Sequence, residues 1–173
     1  MNDVVPGRAA TTSCCTFRLE QRLYGIVVAQ VREISPLLAV TTVPQAPAAV
    51  CGLVNLRSRI HLILDPRPLL GLASVGSTAE SRLLILKPDV AKDVGLLVER
   101  GGDIVHVPSD RIEVATGVAD SPAHAAPHLV GGVCKLDAEL MMILDPTQLV
   151  DAVSRLFRHG GAMPTTTTLE TIT

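Results

Sequence analysis

The chain contains no tryptophan and only three aromatic residues, Phe17, Tyr24 and Phe157, so it lacks the stacking platforms on which single-stranded nucleic acids are held. It also lacks a charge excess. Fifteen Lys and Arg stand against seventeen Asp and Glu, a formal charge of −2 and a pI near 6.2, whereas a nucleic-acid surface carries a basic surplus. No apolar run approaches the roughly 20 residues that span a bilayer, and the residues behind Asp3, Pro6 and Arg8 do not read as a signal peptide. The four cysteines, Cys14, Cys15, Cys51 and Cys134, form no C-x-x-C spacing, which reads as reduced thiols in a cytoplasmic core. No G-x-S-x-G elbow, phosphate-cradling glycine loop or H-E-x-x-H helix is present, so the common signatures of hydrolases, nucleotide-binding enzymes and zinc proteases are missing.

What the chain does have is apolar residues, 47% of the total with a mean hydropathy of +0.39. With no membrane span to hold them, they belong to a core or to partner surfaces. They are organised around residues 52–66, where two β-type runs, Leu53 to Leu56 and Ile60 to Leu64, flank the charged turn Arg57-Ser58-Arg59, the pattern of a hairpin with one buried face. The same pattern returns at 132–146, with the glycine, Leu56/Leu136, Ile63/Ile143, Leu64/Leu144 and the Asp-Pro pair all displaced by 80. A second match, Tyr24-Gly-Ile-Val-Val28 and Glu33-Ile34 against Val94-Gly-Leu-Leu-Val98 and Asp103-Ile104, is displaced by 70. The chain therefore reads as a tandem duplication of two small units, too few and too long for a solenoid.

Read in order, residues 1–12 are expected as a flexible arm, followed by a hairpin over 14–28. Val31 and Ile34, three apart with Glu33 between them, suggest a single helical turn or bend at 29–34, with a strand over 38–43. Asp65 before Pro66 reads as an N-cap with proline at the first helical position, leaving room for scarcely one turn before Pro68 and Gly71. The Gly/Ser-rich stretch 72–81 reads as the seam between a first subdomain at about 13–71 and a second at about 82–145. The second unit opens with a hairpin around Pro88-Asp89, carries a bulge or turn at Gly101-Gly102, and holds an Ala/Pro-rich loop at 117–127. Asp145 caps a helix over about 146–158 whose stripe, Leu149, Val150, Val153, Leu156 and Phe157, is expected to pack across the barrels. Residues 159–173, with their threonine run, are expected to be disordered. Short strands, Pro/Gly punctuation and little helix define an all-β class of two small five-stranded β-barrel subdomains.

Candidates for chemistry are few. His124 and His128 are four apart but sit among Ala and Pro in a loop, without other ligands nearby, so no metal is expected. His61 and His106 read as ordinary strand residues, and Asp65 and Asp145 as caps rather than a carboxylate pair. Glu33 and Arg57 remain: either two separate surface charges or a bidentate pair across one subdomain.

Leu23-Tyr-Gly-Ile26, Val31-Arg-Glu-Ile34, Pro47, Gly52-Leu-Val-Asn-Leu-Arg57 and Val94-Gly-Leu-Leu-Val98 together resemble the CheW-like family of bacterial chemotaxis coupling proteins over about residues 14–157. The resemblance implies two facing barrels, no enzymatic activity and no cofactor. It implies a cytoplasmic scaffold, recruited to membrane-associated receptor arrays, that links methyl-accepting chemoreceptor tips to the regulatory domain of a CheA-type histidine kinase. It assigns Glu33 and Arg57 to a pair near the receptor-binding groove, with Val31, Ile34, Asn55 and Leu56 in the same motifs. It implies neither nucleic-acid binding nor membrane insertion. Ser58 stands where the family has glycine, Asp65-Pro66-Arg67 replaces an Asp-Leu-Arg-like turn, and Gly101 replaces a valine. The same scaffold in pilus motility or cyclic-di-GMP signalling is the nearer alternative, and a small-ligand-binding β-barrel the more distant one.

Overall fold

Two sheets are built from eleven strands in the computed structural model, which describes residues 10–114 and 127–160. In chain order these are β1 (Thr11–Leu19), β2 (Arg22–Val27), β3 (Val31–Pro36), β4 (Val50–Leu56), β5 (Arg59–Leu64), the one-turn helix α1 (Pro66–Leu69), β6 (Arg82–Leu86) and β7 (Val94–Val98). Then follow β8 (Arg100–Pro108), β9 (Ile112–Val114), β10 (Val130–Lys135), β11 (Leu140–Leu144) and the helix α2 (Pro146–Gly160). The six-stranded sheet runs β8-β1-β2-β11-β10-β9 and the five-stranded sheet β3-β6-β7-β5-β4.

The all-β class and the C-terminal helix are as the sequence implies, but the strands do not sort by sequence half. The opening hairpin β1–β2 joins the sheet that contains β8 to β11, while β6–β7 joins β3, β4 and β5. Each hairpin thus completes the sheet of the other repeat, and the division into subdomains at 13–71 and 82–145 is replaced by an exchange. The physical reason is pairing: Leu62 of β5 lies beside Val94 of β7 in a parallel register, and Met142 of β11 beside Tyr24 of β2. These two pairs are related by the displacements of 80 and 70 seen in the sequence. The duplication extends to the backbone, since Asp65 N–H donates to Ala49 O at 2.8 Å and Asp145 N–H to Leu129 O at 2.9 Å. Neither sheet closes into a hydrogen-bonded barrel; the sheets are open and packed together.

Alternation along each strand feeds three cores. Phe17, Tyr24 and Ile26 meet Leu84, Leu86 and Leu96 in a central core shared by both sheets, with Leu149 and Val153 of α2. The opposite face of the five-stranded sheet holds Val54, Leu56, Ile63, Leu83, Ile85 and Leu97 under Leu37, Leu38 and Val40. The opposite face of the other sheet holds Cys14, Val107, Cys134, Met141 and Ile143. Cys14 and Cys15 consequently point to opposite cores, and both are buried. Sheets buried on two faces explain why Leu83 to Leu86 is apolar at every position.

Several local expectations change. Residues 31–34 are strand, preceded by a 3-10 turn at Val28–Gln30, because β6 offers an edge on which β3 can pair. Residues 38–43 are not a strand but a strap whose one ladder contact is the bridge of Thr41 to Leu53. That close pass demands Gly52: its φ is +144°, and a Cβ there would stand 2.2 Å from Thr41 O. Thr11 and Thr12 belong to β1, not to an arm. In α2 the stripe is only half used, since Leu149 and Val153 are buried while Leu156 and Phe157 are each 44% exposed. The expectations for 1–9, for 117–126 including His124, and for the tail 161–173 lie outside the described residues.

A buried polar junction fastens the sheets. Arg67 is 2% exposed; its Nε donates to Asp65 Oδ1 at 2.8 Å and its Nη1 to Glu99 Oε1 at 3.2 Å. Glu99 lies where the chain passes from β7 to β8, hence from one sheet to the other, and its Oε2 accepts from the backbone N–H of Glu20 in the β1–β2 turn at 3.0 Å. Burial opposes the Arg67 charge, yet the hydrogen bonds and charges of Asp65 and Glu99 outweigh it and hold the guanidinium pKa above its ordinary value. Asp65 also caps α1 through the Arg67 N–H at 2.9 Å, as its sequence position implies.

Candidate partner-binding site

β3 and β4 are the outer strands of the five-stranded sheet, and side chains join them where the backbone does not. Arg57 Nη2 lies 3.1 Å from Glu33 Oε2, so the two residues singled out by motif form one ion pair across the open seam. The pair is lopsided. The Arg57 side chain is 80% exposed and that of Glu33 only 21%, so the contact contributes no more than about 1 kcal/mol to the fold and its cationic end faces solvent.

The turn that presents Arg57 carries conformational cost. Arg57 and Ser58 have φ of 51° and 65°, the left-handed geometry a two-residue hairpin turn requires. Ser58 adopts the conformation a glycine would take without strain, so its presence leaves the turn type intact.

The other four motif residues divide. Ile34 on β3 is 37% exposed and Asn55 on β4 is exposed beside the pair's strands. Val31 packs against the central core and Leu56 is buried in the outer one, so these two shape the site from behind. Three residues to which motif reading gave no role join the pair. Arg32 Nη2 donates to Glu33 Oε1 at 2.9 Å and to His61 Nε2 at 3.1 Å. His61, fully buried on β5, has Nδ1 3.1 Å from Arg59 O. Asp93 Oδ1 lies 3.8 Å from both His61 Nε2 and Arg59 Nη1. The sequence did hold one signal for His61: the duplication places Met141 at its equivalent position, a buried apolar residue.

The second repeat has a matching surface with the charges changed. The positions equivalent to Arg57, Ser58 and Arg59 are Asp137, Ala138 and Glu139. Glu139 pairs with Arg18 at 2.6 Å. Beside this tip lies a cavity of about 510 Å³ lined by Val105, His106, Val107, Lys135, Leu136 and Asp137 among others. Apolar residues repeat with the tips: Ile60 is 56% and its counterpart Leu140 45% exposed, and Ile104, the counterpart of Ile34, is 53% exposed. The two repeats thus offer similar apolar surfaces beside a basic tip in one and an acidic tip in the other.

Among the described residues, no group of three or more His, Cys, Asp or Glu side chains is placed to hold a metal, and no helix is long and apolar enough to cross a membrane.

A family model described as the CheW-like domain matches residues 13–154. The chain belongs to the CheW-like domain family. It is 27% identical over 139 residues to the chemotaxis protein CheW of Bacillus subtilis, covering 80% of this chain and 86% of that one. It is 28% identical over 138 residues to that of Treponema pallidum, covering 75% and 76%. Among solved structures it is similar to the scaffolding protein TtCheW from Thermoanaerobacter tengcongensis, with a TM-score of 0.67 and 24% identity, covering 78% of this chain and 89% of that one. That likeness speaks for the CheW-like fold.

Proposed function

We propose that this CheW-like chain is a non-catalytic adaptor that holds two unlike partners in fixed geometry: the cytoplasmic tip of a methyl-accepting chemoreceptor and the regulatory domain of a CheA-type histidine kinase. It would work in the cytoplasm, at membrane-associated receptor arrays. The observation that carries the reading is the pair of equivalent tips with opposite charge. A surface built on Arg57 and Arg59 and one built on Asp137 and Glu139 repel each other's ligands, so one chain of this kind favours two different partners. In this reading Glu33, Ile34, Asn55 and Arg57 form the receptor face, with Val31 and Leu56 packed behind it. Ile34 and Ile60 supply apolar area for an amphipathic helical hairpin, and Arg57 fixes its register through an acceptor on the partner. No buried catalytic group is needed for such work, because an adaptor acts by geometry alone.

The test is a binding assay with purified receptor-tip fragment and kinase regulatory domain. Wild-type chain is expected to bind both together, and Arg57→Ala to lose about tenfold in affinity for the receptor fragment with the melting temperature unchanged. Failure of the wild type to bind either fragment removes the proposal. Co-purification with a kinase of a pilus or cyclic-di-GMP system would move the same scaffold to that pathway.

A further inference from the structure

Both repeats carry a β-bulge at the same place, and only one of them is armed. In β3 the register against β6 slips between Val31 and Glu33, leaving Arg32 as the extra residue. In β8 the register against β1 slips so that Phe17 faces Gly101 and Thr16 faces Asp103, leaving Gly102 as the extra residue. Arg32 and Gly102 are equivalent under the displacement of 70. Bulges aim side chains that regular strands cannot. In the first repeat the bulge sends a guanidinium to Glu33 and His61; in the second it holds a residue with no side chain. The position equivalent to His61, which Arg32 meets in the first repeat, is Met141 in the second, and both are fully buried. The fold therefore needs a large buried side chain there, but not an imidazole.

The imidazole's hydrogen bonds show what it does. A carbonyl can only accept, so His61 Nδ1 donates to Arg59 O, and Nε2 of the neutral ring is left as an acceptor. Arg32 can only donate, and its Nη2 meets that acceptor at 3.1 Å and Glu33 Oε1 at 2.9 Å. Glu33 is thereby held by Arg32 from within and offers Oε2 to Arg57. The charged groups facing the ring from neighbouring elements are Arg32 on β3 and Asp93 before β7, the latter 3.8 Å away and shared with Arg59. We propose that His61, acting through the bulged Arg32, is the positioning residue that fixes Glu33 and so orients Arg57 toward the partner. This specificity device belongs to the first repeat alone. It deepens the proposed receptor-binding role and rests on it for its biological readout.

Two substitutions on the full-length chain separate the possibilities. His61→Met installs the side chain the other repeat uses and removes the acceptor; His61→Gln keeps an acceptor for Arg32. The expected result is a loss of about tenfold in affinity for the receptor-tip fragment in His61→Met, restoration to within about threefold in His61→Gln, and no change for the kinase domain. His61→Met should also show no additivity with Arg57→Ala, since both act on one contact. A partner-free readout accompanies these: guanidinium and imidazole NMR of the isolated chain should show the Nδ1–H tautomer in wild type, and a loosened Arg57 side chain in His61→Met. A folded His61→Met with wild-type affinity, equal loss in the Gln and Met variants, or an Arg57 signal unchanged in His61→Met each overturns the proposal. Wild-type chain that binds no receptor fragment defeats the functional reading instead, and the NMR result then judges the positioning role alone.

Discussion

At residue scale the most constrained position is Gly52. Its φ of +144° and the 2.2 Å separation between a built Cβ and Thr41 O combine backbone strain with overpacking, so Gly52→Ala should cost about 3 kcal/mol or more in chemical denaturation. Ser58 is the opposite case. It holds φ of 65° where glycine would rest without strain, so Ser58→Gly should raise stability by about 0.5–1 kcal/mol and leave partner binding unchanged. The thiols give a pH prediction. Burial, assisted by the neighbouring Cys134 and Cys15, pushes Cys14 up to about 11 from an ordinary 9.0, and burial, assisted by Asp65, pushes Cys51 up to about 12. The fold favours the neutral thiol, so this stability is fully present below about pH 9 and lost as pH climbs through 11 and 12. Denaturation midpoints should be flat from pH 7 to 9 and fall above it, and at pH 8 a thiol reagent should modify the buried Cys14 no faster than the chain opens.

At element scale the helix α2 separates burial from pattern. Leu149 and Val153 are buried while Leu156 and Phe157 are half exposed, so Leu149→Ala should cost about 2–5 kcal/mol and Leu156→Ala less than about 1 kcal/mol, measured by urea unfolding. The helix itself was legible because its cap and apolar spacing are local: Asp145 Oδ1 accepts from the Thr147 N–H at 2.9 Å. The β4–β5 and β10–β11 hairpins were legible for the same reason. Which strand pairs with which was not, because β2 finds β11 and β7 finds β5 through contacts more than a hundred and some thirty positions apart. β3 read as a helical turn because its bulge breaks the period of two at Arg32. The buried ionic role of Arg67 was not legible because its second acid, Glu99, lies between strands of different sheets; the Asp65-Pro66 signal revealed only the cap. Glu33 and Arg57 were found by motif, and Arg32 stood in the same motif without an assigned role, whereas His61 and Asp93 had no motif and join them only through contacts between strands distant in sequence.

At the scale of the molecule, two open sheets exchange hairpins and are fastened at a buried ionic junction. Removing Arg67 would leave Asp65, 3% exposed, and Glu99 without their cation. Arg67→Ala should therefore cost about 3–5 kcal/mol in thermal or chemical unfolding, far more than loss of the exposed Arg57 pair. The exchange interleaves strands of both repeats in each sheet, which suits a chain proposed to hold two partners at a set distance. The central claim is that the two tips serve different partners. It is tested most directly by titrating receptor-tip fragment and kinase regulatory domain separately into wild-type, Arg57→Glu and Asp137→Lys chains and measuring the two affinities for each. The account predicts that the wild type binds both, that Arg57→Glu loses the receptor fragment alone, and that Asp137→Lys weakens the kinase domain alone. Loss of the same partner from both variants, or of neither, would contradict it.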